Sequence, residues 1–467
     1  MISNCLKKLR RVAALAVISA IVLSQTSAVN AQQEVLGETT TFSEDQKALL
    51  YAKPAVVQIT NIVSGKLIMQ SAIATQLNAP QLTGKTYQFV TGFTGSGFFL
   101  SSDGYLVTNG HVVKPEDDLV AYYALSLKAE EIMKDALRYA IISNYGYTPT
   151  SEDLEEMYLS VLNSSYGGSY EEMVWDLYET DYKGGNIKMD SVKNNNYIQT
   201  GAVSGSQKLV QEYGRAATLV DTSYAGDFDS KDLALLKVEG TNFPTIDLGS
   251  FTNVQIGTEV YVIGYPGIVE VATGIFTDVE SGLEPTITKG IISAKKKLVD
   301  GTEAFQTDAG ISGGNSGGPV VDNNGKVIGV ATWSISPQGE DNYNFLISVE
   351  QVNNLLNKNN VTSSESITTT KWKEALDAYS DKCYTKAKGL FEDTKTLYSD
   401  NVDIDDFITK SQTAIENGED ECVTNIETWM YVVGALCCLG VFGGGVVVLF
   451  VFVIAKKKKS KTKETKE

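Results

Sequence analysis

A serine surrounded by glycines is the residue of this chain best suited to covalent chemistry. Ser316 lies in residues 306–319, which read QTDAGISGGNSGGP. Glycines allow positive φ angles, which turn consecutive backbone N–H groups toward one point. Acyl transfer needs such a point because fixed donors must stabilise the developing oxyanion. The segment therefore predicts a nucleophile loop, although a Gly/Ser/Asn run between apolar segments is also typical of an ordinary surface loop.

A serine hydroxyl is a weak nucleophile and needs a base within hydrogen-bonding reach. The chain contains a single histidine, His111, so this residue is the only imidazole that can activate Ser316. It follows GSGFFLSSDGYLVTNG, which predicts two strands joined by an Asp-Gly hairpin. Asp232 opens the apolar strand DLALLKV and supplies an acid between the histidine and the serine. The alternatives are a structural histidine and a carboxylate that only caps the start of a strand.

Several segments together resemble the HtrA/Deg-type branch of the chymotrypsin-fold serine proteases. They are GSGFFLSSDGYLVTNGHVV, DLALLKV, IGTEVYVIGYPG, TKGIISA and QTDAGISGGNSGGPVVDNNGKVIGVAT, and they lie within residues 49–357. The resemblance implies a mainly β fold of two antiparallel β-barrels. It also implies the order and roles of a catalytic triad: His111 as general base and acid, Asp232 holding the imidazole tautomer, and Ser316 as nucleophile. The backbone N–H groups of Gly314 and Ser316 would form the oxyanion hole, and no metal or organic cofactor is implied.

The same resemblance suggests which residues form the primary specificity pocket. Relatives that cleave after basic residues carry an acid six positions before the nucleophile, where this chain has Gly310. Thr332, Trp333 and Ser334 resemble the pocket-wall strand, which pairs with the substrate backbone. Ser334 stands where relatives with broad pockets have glycine. The pocket is therefore expected to accept small or medium apolar side chains.

A large insertion follows the histidine, because 121 residues separate His111 from Asp232. Apolar spacing predicts two or three helices over about residues 126–183, and residues 150–153 and 169–172 fit capping boxes. Such an insertion acts either as a lid or binding surface or as a simple surface elaboration.

The region after the protease segments predicts a separate helical unit. Residues 358–368 are rich in Asn, Ser and Thr and indicate a linker, and residues 369–422 predict a helical stalk or hairpin. Most HtrA-type proteins continue into a PDZ domain, and the sequence of this region does not predict one. Cys383 and Cys422 flank the helical unit, so one disulfide is expected, with two free thiols as the alternative.

Both ends of the chain carry patterns typical of a membrane protein. Residues 1–31 read as a secretory signal peptide, followed by a polar linker over residues 32–48. Residues 429–455 are free of charge and long enough to span a bilayer, and residues 456–467 form a basic tail. Positive-inside logic places the tail in the cytoplasm and the protease segments outside it, in a single-pass type I topology. Glycines at GxxxG spacing in the apolar segment suggest that the protein forms a homo-oligomer.

These patterns predict a membrane-anchored extracytoplasmic serine endopeptidase acting on unfolded or extended proteins. The formal net charge of −18 argues against non-specific nucleic-acid binding. One alternative is a catalytically idle or gated protease-fold receptor or scaffold. Another is a signalling protease with a single membrane substrate.

Overall fold

Two closed antiparallel β-barrels form the centre of the molecule, as the sequence predicts. The structure is a computed structural model that describes residues 42–199, 210, 212, 214–225, 231–265, 284–298, 301–335 and 343–422. The first barrel contains β1 (Val56–Met69), β2 (Thr86–Phe99), β3 (Tyr105–Thr108), β4 (Ile187–Gln199), β5 (Arg215–Thr222) and β6 (Ala234–Val238). The second contains β7 (Glu259–Gly264), β8 (Thr286–Lys297), β9 (Glu303–Thr307), β10 (Pro319–Val321), β11 (Val327–Ile335) and β12 (Tyr343–Ser348).

Strand order explains how distant segments of the chain reach the same place. The first barrel closes in the order β1-β2-β3-β6-β5-β4 and the second in the order β10-β11-β12-β9-β8-β7. The strands β3 and β6 are neighbours, with Thr108 opposite Ala234. The barrels share one apolar cluster, in which Phe98 and Leu235 of the first lie with Ile263 and Val330 of the second. The segments after β3 and before β6 are therefore held at the junction of the barrels.

The helices lie outside the barrels. In chain order they are α1 (Glu44–Ala52), α2 (Ser71–Gln76), α3 (Gly110–Val113), α4 (Asp117–Tyr145), α5 (Ser151–Tyr166), α6 (Tyr170–Asp176), α7 (Val349–Lys358), α8 (Ile367–Ser380), α9 (Tyr384–Leu397) and α10 (Ile404–Glu416). A π-helical turn over Leu177–Tyr182 follows α6.

The predicted helical insertion is present, but it starts earlier than about residue 126 because α4 begins at Asp117. The predicted capping box at residues 150–153 forms, since Thr150 Oγ1 accepts from the Asp153 N–H and Asp153 accepts from the Thr150 N–H. The long strands β1 and β2 extend beyond the barrel, and their buried side chains pack with α4, α6 and the π-helical turn. This second core includes Leu67, Tyr87 and Leu125. The insertion is therefore built onto the extended β1–β2 hairpin as one packed body.

The prediction of a helical stalk or hairpin over residues 369–422 needs correction. Three helices, α8, α9 and α10, form this region, which we call the C-terminal helical unit, and it packs against α1 and the barrels. Trp372 is buried, and its indole N–H donates to the carbonyl of Leu50 at 2.7 Å. The unit presents an apolar face of aromatic side chains to α1, and burial of that face favours packing over extension. Cys383 and Cys422 are joined by a disulfide, with Cα atoms 4.8 Å apart.

The prediction of a linker over residues 32–48 is wrong for the last five of these residues. A capping box between Ser43 and Gln46 starts α1 at Glu44, so the end of that segment is helical. The predicted signal peptide at residues 1–31, the membrane span at 429–455 and the basic tail at 456–467 lie outside the described residues. Within the described ranges, no helix combines the length and apolar character needed to cross a bilayer.

Candidate active site

His111 and Asp232 are brought together by the pairing of β3 with β6. His111 lies in α3, three residues after the end of β3, and Asn109 caps the start of this helix. Asp232 lies two residues before β6. The His111 Nδ1 atom is 2.6 Å from Asp232 Oδ2, and the His111 backbone N–H donates to Asp232 Oδ1 at 3.0 Å. Asn109 Nδ2 donates to the Asp232 carbonyl at 2.6 Å. The imidazole is therefore fixed with its Nδ1 side toward the carboxylate.

The Asp232 carboxylate is buried and remains ionised. Only 5% of the residue is exposed, and burial by itself would raise its pKa. Hydrogen bonds and charge attraction from His111, with a further hydrogen bond from Thr332 Oγ1 at 2.8 Å, outweigh that effect and hold the pKa of Asp232 below its usual value. The arrangement can orient an imidazole and stabilise its protonated form.

Ser316 lies in the turn before β10, on the second barrel, and is partly exposed. Its Oγ donates to the carbonyl of Thr332 at 3.0 Å. Among the described residues there is no hydrogen bond between Ser316 Oγ and His111. The hydroxyl must therefore rotate about χ1 before the imidazole can accept its proton. Contacts of this kind often tighten only when substrate binds.

Two backbone N–H groups of the glycine-rich loop donate to no acceptor among the described residues. Gly314 has a φ of +99°, a left-handed conformation that favours glycine. A turn closes the loop, since the Asn315 N–H donates to the Ser312 carbonyl at 3.0 Å. Within the described ranges, the N–H groups of Gly314 and Ser316 have no hydrogen-bonding partner in the protein. They are available to bind an oxyanion.

Ser96 on β2 holds this loop from the first barrel, a role that the sequence analysis missed. Its Oγ donates to the Gly314 carbonyl at 2.7 Å, and its backbone N–H donates to the Ser316 carbonyl at 2.8 Å. Gly317 packs directly against Ser96. Any larger residue at this position would clash, because its Cβ would lie 2.2 Å from the Ser96 carbonyl oxygen. The only sequence signal was the Gly95-Ser96-Gly97 triplet, which brings small residues to a close approach of two backbones.

Hydrogen bonds link the predicted pocket residues to their neighbours beside Ser316, and we call the region that these residues border the slot. Ser334 Oγ donates to Asn344 Oδ1 at 2.6 Å and lies 3.4 Å from the Ile311 carbonyl. Asn344 Nδ2 donates to the carbonyl of Ala309, the neighbour of Gly310, at 2.7 Å. Asn344 was not predicted, because it reaches the slot only through the pairing of β11 with β12, where Ser334 lies opposite Asn344.

The remaining predicted pocket residues, Thr332 and Trp333, lie on β11. The Thr332 carbonyl accepts from Ser316 and its hydroxyl donates to Asp232, so Thr332 contacts both candidate catalytic groups. The Trp333 ring stacks on Phe345 with centroids 5.8 Å apart. The slot and the candidate triad are therefore parts of one site.

The helical insertion begins beside the histidine. The Tyr224 ring lies 6.4 Å from the His111 ring, and the Tyr224 hydroxyl donates to Glu116 Oε1 at 2.8 Å. Glu116 immediately precedes α4. A cavity of about 400 Å³ opens between these residues and Asp117. Tyr224 therefore connects the start of the insertion to His111. Across the described residues, no cluster of His, Cys, Asp and Glu side chains is arranged to hold a metal ion.

Two closed antiparallel barrels with a serine, a histidine and an aspartate near their junction form the arrangement that is typical of chymotrypsin-fold serine peptidases. Comparison with known proteins narrows this class. Residues 192–330 match the trypsin-like peptidase domain family. This match contains both Asp232 and Ser316, and it agrees with the HtrA-type resemblance of the sequence motifs.

Relatives at the sequence level are proteases of this type. A probable periplasmic serine endoprotease, DegP-like, from Chlamydia trachomatis serovar D is 35% identical over 162 residues, which are 32% of this chain and 30% of that protein. The magnetosome formation protease MamE of Paramagnetospirillum magneticum is 40% identical over 117 residues, 24% of this chain and 14% of that protein. The matched region thus spans less than a third of the length of these relatives. Among solved structures, the HtrA-type protease AlgW with tripeptide aligns with 67% of this chain and 62% of its own at 19% identity, with a TM-score of 0.34.

Proposed function

We propose that this protein is a membrane-anchored extracytoplasmic serine endopeptidase that hydrolyses unfolded or extended proteins. The observation that carries the proposal is the buried, ionised Asp232 paired with His111 at 2.6 Å. Beside this pair lies a serine on a loop whose Gly314 and Ser316 N–H groups bind no acceptor in the part of the chain that the structure describes. An isolated structural histidine would need no such neighbours. Relatives named as periplasmic endoproteases support a location outside the cytoplasm.

In the proposed reaction, the Ser316 hydroxyl rotates from Thr332 toward His111 and attacks the substrate carbonyl. His111 accepts the hydroxyl proton and then gives it to the leaving amine, while Asp232 stabilises the imidazolium. The N–H groups of Gly314 and Ser316 would bind the oxyanion. Water then attacks the acyl-enzyme, with His111 again as the base, and Ser316 is restored.

The rotation of Ser316 also frees an acceptor for the substrate. The Thr332 carbonyl, which now binds the serine hydroxyl, lies on β11 where an extended peptide would pair with the strand. A substrate N–H that binds this carbonyl would compete directly with the resting hydrogen bond of Ser316. Substrate binding and release of the nucleophile would then be the same event.

The test uses the full-length chain in detergent micelles, beside Ser316→Ala. Both are treated with a fluorophosphonate probe and with an unfolded protein substrate. We expect labelling and cleavage by the parent alone, since the probe bonds to an activated serine. A folded parent that neither labels nor cleaves would contradict the proposal.

Anchoring is tested separately, by comparing the full chain with a version ending at residue 428. The full chain should stay with membranes after alkaline extraction, whereas the shortened chain should not. Release of both to the same extent would contradict the proposed span at residues 429–455.

A gated or idle protease-fold receptor is the second candidate, and one observation favours it. Ser316 Oγ is bonded to Thr332 rather than to His111, which is a resting arrangement. Under this candidate, the parent would remain unlabelled until a peptide or protein partner is added, or would bind that partner without any labelling. A signalling protease with one membrane substrate would label alone but leave general unfolded proteins uncut.

A further inference from the structure

We propose that the C-terminal helical unit positions the oxyanion loop, and that Asp403 and Lys53 are positioning residues for the reaction at Ser316. The inference deepens the proposed endopeptidase function and rests on it. It assigns a role in positioning the oxyanion loop to a unit whose sequence predicted only a stalk or hairpin.

The first step is a buried ion cluster between the helical unit and the protease head. Lys53 Nζ lies 2.8 Å from Asp403 Oδ1, and the two residues are each 6% exposed. Lys53 also forms an ion pair with Glu284. Burial disfavours the charged form of Lys53, but the two carboxylates outweigh it and raise the lysine pKa. A buried pair of this kind fixes geometry, because removing one partner leaves an uncompensated charge.

The cluster joins three parts of the chain that are distant in sequence. Lys53 directly follows α1, Asp403 directly precedes α10, and Glu284 lies just before β8. The strand β8 begins opposite the end of β7, with Gly264 paired to Thr286. The helical unit therefore reaches the point where β7 and β8 meet.

The second step runs through Tyr265, the residue after β7. Its side chain lines the same small cavity as Lys53, Tyr398 and Asp403. Burial, with further effects from Tyr398 and Asp403, raises the pKa of Tyr265, so that its phenol stays neutral. Its hydroxyl lies 3.4 Å from the carbonyl of Val56. The side chain of Tyr265 is thus enclosed by the helical unit on one side and by β1 on the other.

The third step connects the Tyr265 backbone to the loop. The Tyr265 N–H donates to Ser96 Oγ at 2.9 Å, and that hydroxyl donates to the Gly314 carbonyl at 2.7 Å. The Ser96 N–H holds the Ser316 carbonyl at 2.8 Å. A shift of Tyr265 would therefore move Ser96 and change the hydrogen bonds that hold Gly314 and Ser316. These are the two residues whose N–H groups would bind the oxyanion. Small displacements at such donors have large effects on rate.

Positioning and simple packing predict different measurements. A packing contact contributes to stability and leaves the turnover of folded enzyme unchanged. A positioning contact lowers kcat and the rate of probe labelling, and leaves KM nearly constant, because its effect falls on groups that act in the transition state.

The experiment uses the full-length chain in micelles with Asp403→Asn, Glu284→Gln and the control Asp377→Asn. Asp377 also ties the helical unit to α1, through Lys47 at 3.0 Å, but does not line the Tyr265 cavity. Labelling rate, kcat, KM and thermal unfolding are measured for each. We expect Asp403→Asn and Glu284→Gln to lower labelling rate and kcat by about tenfold with KM nearly unchanged, and Asp377→Asn to match the parent.

Folded Asp403→Asn enzyme that labels as fast as the parent would overturn the inference. If Asp403→Asn does not fold, Glu284→Gln decides by the same criterion, since the Glu284 side chain is partly exposed. Ser96→Ala tests whether the effect passes through Ser96. The double variant Ser96→Ala/Asp403→Asn should lower log kcat by less than the sum of the two single losses, whereas full additivity would refute the connection. A parent that fails to label refutes the endopeptidase function itself and, with it, this inference.

Discussion

The hydroxyl of Thr332 donates a 2.8 Å hydrogen bond to Asp232 Oδ2, the same oxygen that faces His111. Thr332 lies on β11 of the second barrel, whereas Asp232 precedes β6 of the first. The bond therefore crosses the junction between the barrels. The orientation of the candidate catalytic carboxylate depends on how the barrels pack, which explains why no single segment contains the whole site.

Asp232→Asn is expected to lower kcat by about 10⁴-fold, because an amide can leave the imidazole in the wrong tautomer. The measurement is kcat on a peptide substrate at neutral pH. The control is Asp393→Asn, which removes a surface ion pair with Lys371 and should keep parental activity. Equal activity of Asp232→Asn and the control would mean that Asp232 only caps a strand.

Thr332→Val is expected to change how stability depends on pH. The substitution keeps the β11 carbonyl that binds Ser316 but removes one donor to the Asp232 carboxylate, so the lowered pKa of Asp232 should move back up. A carboxyl with a depressed folded pKa contributes stability that is present above its unfolded pKa, near 3.8, and is lost as pH falls through the folded pKa.

The parent should therefore exceed Thr332→Val in free energy of unfolding by about 1.5–3 kcal/mol at neutral pH. This difference should shrink as the solution becomes acidic enough to protonate Asp232 in the folded state. Denaturant unfolding across a pH series measures it. A difference that is constant down to the lowest accessible pH would show that Thr332 acts through packing alone.

Reduction of the Cys383–Cys422 bond is expected to destabilise the C-terminal helical unit. The cysteines are 39 residues apart, and a loop of that length contributes about 4 kcal/mol in the chain-entropy model. Thermal unfolding with and without reductant measures the loss. The double variant Cys383→Ala/Cys422→Ala is the control and should not respond to reductant. A parent that is equally insensitive, with two titratable thiols, would mean that the bond does not form in the native protein.

The sequence predicted the parts of the site that lie within short motifs. His111 follows one apolar strand and Asp232 precedes another. Their positions at strand ends were therefore predictable from the alternation of apolar and polar residues and from the turn residues nearby. Their mutual distance was not readable, because it depends on the pairing of β3 with β6 across the insertion. The two-barrel architecture came from the resemblance rather than from the strand patterns themselves.

The missed residues act through long-range pairing or buried contacts. Ser96 is an ordinary small residue in sequence, and only the approach of β2 to the nucleophile loop gives it a role. In sequence, Lys53 resembles a typical surface lysine, and only the packing of α1 and α10 buries it beside Asp403. The helical unit was predicted as a stalk or hairpin because its apolar spacing revealed helices but not the surface that they cover.

Asn344→Ala is expected to broaden the choice of residue before the scissile bond. Asn344 is buried and binds Ser334 at 2.6 Å and the Ala309 carbonyl at 2.7 Å, so its side chain connects β11 to the segment that contains Gly310. Removal of the amide should admit a larger apolar side chain. We expect the ratio of kcat/KM for phenylalanine over valine at that position to rise by about tenfold or more.

The measurement compares matched peptides that differ only at that residue. Because the ratio is taken within one enzyme, a general loss of stability or of active fraction cancels. Asn354→Ala on the exposed part of α7 is the matched control and should leave the ratio unchanged. If Asn344→Ala lowers kcat/KM equally for both peptides, Asn344 supports the fold of the slot without setting its size, and the specificity must be determined by Ser334 or by the approach beside Glu116.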